Sequence, residues 1–375
     1  AGVAEFRYSP QANVGEETYV YPAIGDPVSV GVEVGGTANV YQWIKGEEEV
    51  STDAIYEIPT FDPSVHSGKY FGVIQNTTVP GLVIMTEPTH LYASAFAQDS
   101  LALVDLYNNC GGADWEGFGT WLNGPLKDWE QVTLDSTTQR VTNVVFKDMH
   151  LTGALPETLG NITKMSGKIE MRDDSLLTGA LPAFLWRWVD VERFQIKFSG
   201  YTSIETEGLE NMVNLTEFNT EGTPITGTIP GVIFTLPNIE KLYFHDSEFD
   251  ALPPEATQVS GLTRLYLNGD NFSELPDMSG MTWGDGAKVR VHNNFLTFED
   301  LEQNVAVGSA TGVEEFRYSP QANIGEPTTI ELMAGETLSL SVDVGGTANS
   351  YTWIIGEDAV IDGATEATYE KEGVT

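Results

Sequence analysis

From Val141 onward, the apolar residues of the chain recur with a period of about 22–25 residues. Each period contains a short stretch of the form xLxLx, where L is usually Leu, Ile, Val or Phe and x is usually polar. Because side chains alternate along a strand, the L positions face a core and the x positions face solvent. A single period cannot bury its apolar side chains alone, so consecutive periods must stack. This pattern predicts a solenoid over residues 140–304.

The segments that follow these stretches carry a more specific signature. LTGALP occurs at Leu151–Pro156 and Leu177–Pro182, and ITGTIP occurs at Ile225–Pro230. With seven consecutive turns, residues 140–304 resemble the plant-type leucine-rich repeat, LxxLxLxxNxLTGxIPxxLxxL. The resemblance implies an internal column of hydrogen bonds made by the consensus Asn. We expect that column to be incomplete, because the Asn is replaced at Met149, Ser199, Thr223 and Ser247.

The segment before the solenoid, residues 96–139, resembles the helical N-terminal cap of such repeat domains. It begins with apolar residues on one helical stripe: Leu101, Leu103, Leu106 and Tyr107. Three tryptophans follow: Trp115, Trp121 and Trp129. We expect them to pack inside the cap, and the alternative is a platform for a ligand.

The chain also contains a repeat with a much longer period. EFRYSPQAN occurs at Glu5–Asn13 and again at Glu315–Asn323, 310 positions later. Residues 1–65 align with 311–375 without a gap. The chain therefore reads as an excerpt from a tandem array of 310-residue units. The shared segment carries Pro and is expected to be a rigid spacer between units.

The first part of each unit has the strand rhythm of an all-β domain, with short alternating segments separated by Gly, Pro and Asn. Trp43 follows a VSVGVEV segment, and HSGKYFG lies about 25 residues further on. This spacing resembles an immunoglobulin-like (Ig-like) domain and implies that Trp43 is the core tryptophan and Tyr70 the tyrosine of the corner motif. Gly72 stands where that family often has its second cysteine, Val30 and Val32 occupy the strand of the first, and His66 replaces the usual Asp. Core packing alone is therefore expected to hold the domain together.

The predicted fold class is mainly β with short helices, an Ig-like β-sandwich plus a leucine-rich-repeat solenoid, in a tandem array. The predicted segments are a junction at 1–16, an Ig-like sandwich at 17–95, the cap at 96–139, the solenoid at 140–304, a junction at 305–326 and an incomplete Ig-like domain at 327–375.

Composition narrows the functional classes. The chain has 55 Asp and Glu against 18 Lys and Arg, a net charge of -37, and nucleic-acid binding requires clustered cations. We therefore expect no nucleic-acid partner. No apolar run approaches the roughly 20 residues that span a bilayer, so we expect no membrane insertion in this segment. The single cysteine, Cys110, excludes an intrachain disulfide framework and is expected to be buried, with an intermolecular link as the alternative.

The solvent-facing x positions of the seven turns form three rows on the predicted concave face, which we call the sheet strip. The first row is Asn143, Lys168, Arg193, Glu217, Lys241, Arg264 and Lys288. The second is Val145, Glu170, Gln195, Asn219, Tyr243, Tyr266 and Arg290. The third is Lys147, Arg172, Lys197, Glu221, His245, Asn268 and His292.

The sheet strip is basic on a strongly acidic protein. Nine of the 18 Lys and Arg lie on it against Glu170, Glu217 and Glu221, a balance of 9 − 3 = +6. A basic strip should attract an acidic surface, and the chain offers one itself in GEEEV at residues 46–50. One alternative is that these are ordinary polar positions whose net positive charge is accidental. Another is that the strip binds an anionic glycan, with Tyr243 and Tyr266 stacked on its sugars.

Other motifs are weaker. The sequence shows no catalytic arrangement, and its five His are too scattered for one metal, so we expect neither enzymatic activity nor a cofactor. Acidic loops near Asp270 and Asp285 leave weak calcium binding open, without a twelve-residue EF-hand pattern. Three Asp-Ser-Leu or Asp-Ser-Thr triplets resemble the O-glycosylation motif of Bacteroidota secreted proteins, which implies modification at Ser100, Ser136 and Ser175.

The alternation of Ig-like and LTGxIP-type domains joined by FxYSPQAxxG resembles giant surface and secreted adhesins of marine Bacteroidota. That resemblance implies export by type IX secretion and assembly into fibres or hook-like appendages that grip other cells. We therefore predict a structural and adhesive protein of an extracellular, cell-surface appendage. Its partners would be copies of itself and a target-cell surface. The alternative is a receptor-like module that binds an external anionic glycan or protein through the sheet strip.

Overall fold

A computed structural model describes residues 12–92, 94–115, 117–147 and 149–373. Most of the predicted junction at 1–16, with the first EFRYSPQAN, lies outside the described residues. The chain divides into two compact units, one containing residues up to 103 together with 135–140, and one containing 104–134 and 141 onward. The described structure is mainly β, and its helices are short apart from one of 15 residues.

The first unit contains two sheets. Its strands are β1 (Thr18–Val20), β2 (Val28–Gly31), β3 (Asn39–Lys45), β4 (Glu48–Ser51), β5 (Ile55–Ile58), β6 (Gly68–Asn76), β7 (Val83–Met85) and β8 (Thr89–Leu91). One sheet has the order β1-β8-β6-β3-β4 with β7 beside β6, and the other pairs β2 with β5. A four-residue helix, α1 (Pro63–His66), precedes β6. The core of this unit contains Val28, Val30, Trp43, Ile58, Phe61, Tyr70, Leu91 and Ala97.

Trp43 and Tyr70 are both buried in this core, as the sequence predicted. The Tyr70 hydroxyl donates a hydrogen bond to the His66 carbonyl oxygen at 2.7 Å, four residues upstream. Gly72 is the partner of Trp43 across β3 and β6. A Cβ at Gly72 would lie 3.2 Å from the Trp43 ring and 2.8 Å from the methyl of Thr86. The Thr86 methyl and the Trp43 indole therefore fill the space that a cysteine side chain would need.

A 15-residue helix, α2 (Ala95–Asn109), is followed by 3-10 turns at Gly112–Asp114 and Leu126–Asp128. The three tryptophans of this region are buried and pack on one another. The rings of Trp115 and Trp121 meet edge to face with centroids 5.2 Å apart, and Trp129 lies 5.1 Å beyond Trp121. The Trp115 indole N–H donates to the Cys110 carbonyl oxygen at 3.0 Å. The prediction that these residues pack in the cap is confirmed.

Cys110 is fully buried, which confirms its predicted place in the core. Its thiol lies 3.3 Å from the Ala154 carbonyl oxygen. Burial raises the pKa of the Cys110 thiol to about 12, so it is not a reactive thiolate at neutral pH.

The second unit is built on a parallel seven-stranded sheet. Its strands, in sheet order, are β12 (Ser166–Arg172), β14 (Asp190–Lys197), β16 (Glu217–Asn219), β18 (Lys241–Tyr243), β20 (Ser260–Tyr266), β21 (Thr282–Arg290) and β22 (Val313–Arg317). Shorter strands return along the other side: β11 (Thr152–Gly153), β13 (Leu176–Leu181), β15 (Gly200–Ile204), β17 (Thr226–Thr228) and β19 (Glu248–Ala251). The connections include 3-10 turns at Glu157–Asn161, Ala183–Arg187, Leu209–Asn211, Pro254–Thr257 and Val305–Ser309, and helices α3 (Gly231–Phe234) and α4 (Phe298–Glu302).

The first predicted turn differs from the others. Its strand, β10 (Val141–Val144), pairs antiparallel with β9 (Val132–Leu134), in a sheet separate from the seven-stranded one. Asn143 reaches across this boundary, and its side-chain amide donates to the Lys168 carbonyl oxygen at 2.9 Å.

The seven-stranded sheet ends inside the segment predicted to be a junction. β22 pairs in parallel with β21 and brings Phe316 beside Val289. Five residues after Phe316, the Gln321 side chain accepts from the Asn294 backbone N–H at 3.0 Å and donates to the Val291 carbonyl oxygen at 3.1 Å. Part of EFRYSPQAN is thus one more strand of the solenoid.

Gln321 also completes an internal column of side chains, polar at every position except Met149. The column consists of Met149, Asp174, Ser199, Thr223, Ser247, Asp270, Asn294 and Gln321. The Asn294 side-chain amide donates to two carbonyl oxygens, of Leu267 at 2.7 Å and Val291 at 3.1 Å. Asp270 accepts one bond, from the Ser247 backbone N–H at 2.9 Å, and its other oxygen is buried without a partner among the described residues. The predicted gap is present at Met149, whose side chain has no hydrogen-bond donor, but the prediction is wrong at Thr223 and Ser247, whose hydroxyls donate to the Ile196 and Thr220 carbonyl oxygens at 3.2 and 3.0 Å.

The last part of the second unit contains two strand pairs. β23 (Leu338–Ser341) pairs with β26 (Thr368–Lys371), and β24 (Ile354–Ile355) pairs with β25 (Ala359–Val360). Here the ungapped alignment of the two long repeats is wrong. Val30 faces Tyr56 in the first copy, 26 positions on, whereas Leu340 faces Tyr369 in the second, 29 positions on. The second copy therefore has three additional residues between these strands.

Candidate functional site: the face of the parallel sheet

From β12 onward the strands pair in the predicted register, but the prediction that every x position faces solvent is wrong at four positions, since Gln195, Glu217, Asn219 and His292 are buried. In the first row, Lys168 pairs with Arg193, Arg193 with Glu217, Glu217 with Lys241, Lys241 with Arg264, and Arg264 with Lys288. β22 extends the first row with Glu315 and the second with Arg317. Sequence reasoning missed both residues, although Phe316, Tyr318 and Gln321 follow the LxLxxN spacing of the preceding turns.

Carboxylates pair with several cations of the strip. The ammonium of Lys168 lies 2.5 Å from a Glu170 oxygen, and that of Lys197 lies 3.4 Å from Glu221. The Arg290 guanidinium binds both carboxylate oxygens of Glu315, at 2.9 and 3.2 Å. The balance of +6 already subtracts Glu170 and Glu221, and the additional strand adds one carboxylate, Glu315, and one cation, Arg317, which leaves the balance unchanged.

Three cations of the first row, Arg193, Lys241 and Arg264, are not neutralised in this way, although Arg264 is engaged by backbone carbonyl oxygens. Among the described residues, no carboxylate oxygen lies within 4.0 Å of the charged groups of Arg193 or Lys241. They lie on either side of Glu217 in the register. Glu217 is itself buried and accepts a hydrogen bond from the Gln195 side chain. Arg193 is exposed and Lys241 is half-buried, so both can meet another molecule.

An aromatic cluster occupies the strip beside these cations. The rings of Tyr243 and Tyr266 meet edge to face at 5.1 Å, and His245 lies 5.7 Å from Tyr266. The Arg290 guanidinium lies 4.3 Å from the Tyr266 ring centroid, a favourable cation–π distance. One face of Tyr266 is therefore already occupied by a residue of the same sheet.

Burial shifts the pKa values of three side chains on the strip: Tyr243, His245 and His292. Burial raises the pKa of Tyr243 to about 12. Burial also lowers the pKa of His245, although Glu221 opposes this shift. Burial, reinforced by Arg317 and Arg290, lowers the pKa of His292. Both imidazoles are therefore mainly neutral at pH 7 and add no positive charge to the strip.

The other predicted site residues lie apart from this cluster. Lys147 is exposed in the first turn. Arg172 lies 3.3 Å from Asp173 and 5.6 Å from the Phe198 ring centroid. The Arg264 guanidinium donates to the Gly286 carbonyl oxygen at 3.1 Å.

The three predicted glycosylation sites differ in exposure. Ser136 and Ser175 are exposed, whereas Ser100 lies half-buried on α2. The Asp residues beside two of them belong to the core. Asp99 is buried and bound by Arg140 at 2.7 Å, and Asp174 accepts from the Leu151 backbone N–H at 2.7 Å.

The described residues contain no group of three or more His, Cys, Asp or Glu side chains close enough to hold a metal ion. Asp270, one of the residues that left calcium binding open, lies in the internal column and is buried. Within the same described part of the chain, no helix is both long and apolar enough to cross a membrane.

Comparisons with known proteins give a general likeness of fold. No protein-family model and no curated protein matches the chain. The leucine-rich-repeat ectodomain of the receptor kinase GASSHO1/SCHENGEN3 from Arabidopsis thaliana is 19% identical with a TM-score of 0.48, over 60% of this chain and 30% of that one. A plant ice-binding protein is 18% identical with a TM-score of 0.47, over 53% of this chain and 64% of that one.

A leucine-rich repeat protein from Bacteroides eggerthii is 12% identical with a TM-score of 0.41, over 55% of this chain and 54% of that one. The chain thus spans less than two thirds of each of these three proteins. With TM-scores below 0.5, the likenesses carry no argument about function. The leucine-rich-repeat fold of the second unit rests on its parallel register and its internal column.

Proposed function

We propose that the chain is a structural and adhesive unit that associates laterally with copies of itself in an extracellular filament or appendage. The observation that carries this proposal is the pair Arg193 and Lys241, two cations without a carboxylate partner on the face of a regular sheet. The same chain offers an acidic partner, since Glu47 in the turn after β3 and Glu48 and Glu49 at the start of β4 are exposed. Such a contact would be weak singly and would be multiplied along a tandem array.

The wider architecture proposed is a tandem of Ig-like sandwiches and leucine-rich-repeat solenoids, exported by type IX secretion. The burial of Trp43 and the hydrogen bond from Tyr70 to the His66 carbonyl oxygen support the Ig-like part. The proposed second partner is a target-cell surface. O-glycosylation is proposed at Ser136 and Ser175, which are exposed, and less directly at Ser100.

Charge reversal tests the lateral contact. The variant Arg193→Glu/Lys241→Glu should lose self-association, because it opposes acid to acid. The control Lys127→Glu/Lys164→Glu makes the same change in net charge at two exposed lysines outside the strip, and should associate like the parent. Equal association of both variants, measured by sedimentation velocity, would overturn the proposal.

The second candidate is a receptor-like module for an external anionic glycan or protein. The half-buried Tyr243 beside Lys241 favours it. The partly covered Tyr266 ring counts against sugar stacking at that position. A ligand-binding module would remain monomeric without added ligand, and Arg193→Glu/Lys241→Glu would then change only binding to an anionic glycan array.

A further inference from the structure

The end of the solenoid carries a loop from the second long repeat. Residues 344–349, with the sequence VGGTAN, lie against the five-residue helix α4. The Phe298 backbone N–H donates to the Val344 carbonyl oxygen at 3.1 Å. The Glu302 carboxylate accepts from the Thr347 backbone N–H at 2.7 Å and from its hydroxyl at 2.9 Å. These hydrogen bonds lower the pKa of Glu302.

Two glycines allow this close approach. A Cβ at Gly345 would lie 2.7 Å from the Glu299 Cβ, and one at Gly346 would lie 2.5 Å from the Phe298 Cβ. Both also have positive φ, 57° and 77°, a region that a residue with a Cβ enters at a cost. The Gly-Gly pair is therefore a requirement of the contact with α4.

The first long repeat contains the same six residues, at 34–39, in the first unit. Part of the internal brace is the same, because the Asn39 side-chain amide donates to the Gly35 carbonyl oxygen at 3.2 Å, as Asn349 donates to that of Gly345 at 2.5 Å. Asn39 donates in addition to the Val34 carbonyl oxygen at 3.0 Å. Gly35 and Gly36 are exposed. A Cβ at Gly35 would meet no atom of the described residues within 4 Å, and its φ lies outside the positive region. Nothing described in the first unit therefore requires glycine at position 35.

We infer that residues 34–39 are an end-to-end docking loop for the α4 end of the solenoid of a second copy of this chain. The loop would make on that copy the contacts that residues 344–349 make on their own α4. Gly35 would then be required by the contact with the α4 end of another 310-residue unit and not by its own unit. The inference rests on the proposed self-association, and it supplies an end-to-end contact in addition to the lateral one.

In the isolated chain, residues 344–349 already occupy α4, so a second copy must compete with a tethered segment. Gly345→Ala/Gly346→Ala should weaken the tethered contact and open α4. We therefore expect this variant to associate as its concentration rises from about 1 to 100 μM, a range in which contacts of modest affinity populate. The exchange of the Phe298 amide hydrogen should be fast in dilute protein and slow again on association.

Adding Gly35→Ala to that variant should weaken association at least tenfold, because a methyl at the equivalent position, Gly345, would lie 2.7 Å from the Glu299 Cβ of α4 and would disfavour positive φ. The matched control is Gly119→Ala, another exposed glycine without positive φ and with no described atom within 4 Å of an added Cβ. It should leave association unchanged. Thermal unfolding of Gly35→Ala and Gly119→Ala alone should match the parent.

All of these variants are made with Arg193→Glu/Lys241→Glu, so that the lateral contact does not contribute. The comparison of Arg193→Glu/Lys241→Glu with its lysine control tests the lateral contact. The glycine variants in that background test the docking loop separately. Two results would overturn the inference. One is a monomer with a fast-exchanging Phe298 amide at every concentration, and the other is association that survives Gly35→Ala.

Discussion

Arg290 binds Glu315 through two parallel hydrogen bonds, from Nε to Oε1 at 2.9 Å and from a terminal guanidinium nitrogen to Oε2 at 3.2 Å. The pair joins the last two strands of the parallel sheet, β21 and β22. It links a residue of the repeat pattern to a residue of EFRYSPQAN. The segment between the repeats is therefore held to the solenoid by a directed ion pair as well as by backbone pairing.

A double-mutant cycle on Arg290→Gln and Glu315→Gln should give a coupling free energy of about 0.5–2 kcal/mol at pH 7, since the pair is bidentate and less than one-third exposed. The matched pair is Lys288 and Glu314, at 3.4 Å with Glu314 61% exposed, which should couple by less than about 0.5 kcal/mol. Urea unfolding of the four variants in each cycle measures both values.

The coupling should also depend on pH. The hydrogen bond from Arg290 lowers the pKa of Glu315. A carboxyl group with a lowered folded-state pKa stabilises the fold above its unfolded pKa, and that stabilisation is lost as the pH falls through the folded pKa. The Arg290–Glu315 coupling should therefore disappear in acid. A coupling equal at pH 7 and at about pH 2, below the usual Glu range, would show that the contact is not ionic.

Asp270→Asn should stabilise the protein. Burial raises the pKa of Asp270 to about 9, so the folded state holds a proton that the unfolded state releases. Stability from this group is fully present below its unfolded pKa and is lost as the pH rises towards about 9. Asn keeps the acceptor for Ser247 and needs no proton, so the unfolding free energy should rise by at least about 1 kcal/mol at pH 8.

Two further Asp→Asn variants provide comparisons for the stability gained by Asp270→Asn. Burial raises the pKa of Asp174 to about 7, so Asp174→Asn should gain stability over a narrower pH window than Asp270→Asn. The exposed Asp277 is a control, because its pKa is lowered by hydrogen bonds from Ser279, and Asn there should not stabilise. Unfolding curves from pH 4 to 9 test whether the gain in stability is largest for Asp270→Asn, smaller for Asp174→Asn and absent for Asp277→Asn. An Asp270→Asn protein less stable than the parent at pH 8 would contradict this order.

Gly72→Ala should destabilise the first unit by about 1–3 kcal/mol, since an added methyl group overpacks the space between Trp43 and Thr86. The clash is with the Thr86 Cγ2, at 2.8 Å. Thr86→Ser removes that methyl and keeps the hydroxyl that accepts from the Gly72 backbone N–H. The double variant should therefore recover part of the loss in thermal unfolding, and no recovery would place the strain at Trp43 instead.

Much of the second unit could be predicted from its sequence. The alternation of buried and solvent-facing residues gives Lys168, Arg193 and Lys241 their shared row, because parallel strands of equal repeats pair at equivalent positions. The column position of Asn294 follows from the same spacing. The burial of Trp115, Trp121 and Trp129 follows from their apolar area.

Other features depend on contacts that the repeat pattern does not contain. Because EFRYSPQAN occurs twice, we predicted that it is a junction between units. The second copy also follows the LxLxxN spacing of the repeats, at Phe316, Tyr318 and Gln321, and forms part of an additional strand. The neutralisation of Arg290 comes from Glu315 on that additional strand. The three additional residues before Tyr369 are visible only in the strand register, since the sequences there have diverged.

Light scattering from a chain of two consecutive 310-residue units tests whether the protein associates with copies of itself. The molar mass is measured from about 20 mM to about 600 mM salt, a range over which the screening length falls from about 20 Å to about 4 Å. We expect a mass of two or more chains at low salt that decreases as salt rises, because the proposed lateral contact is electrostatic. A single-chain mass at every salt concentration would contradict it.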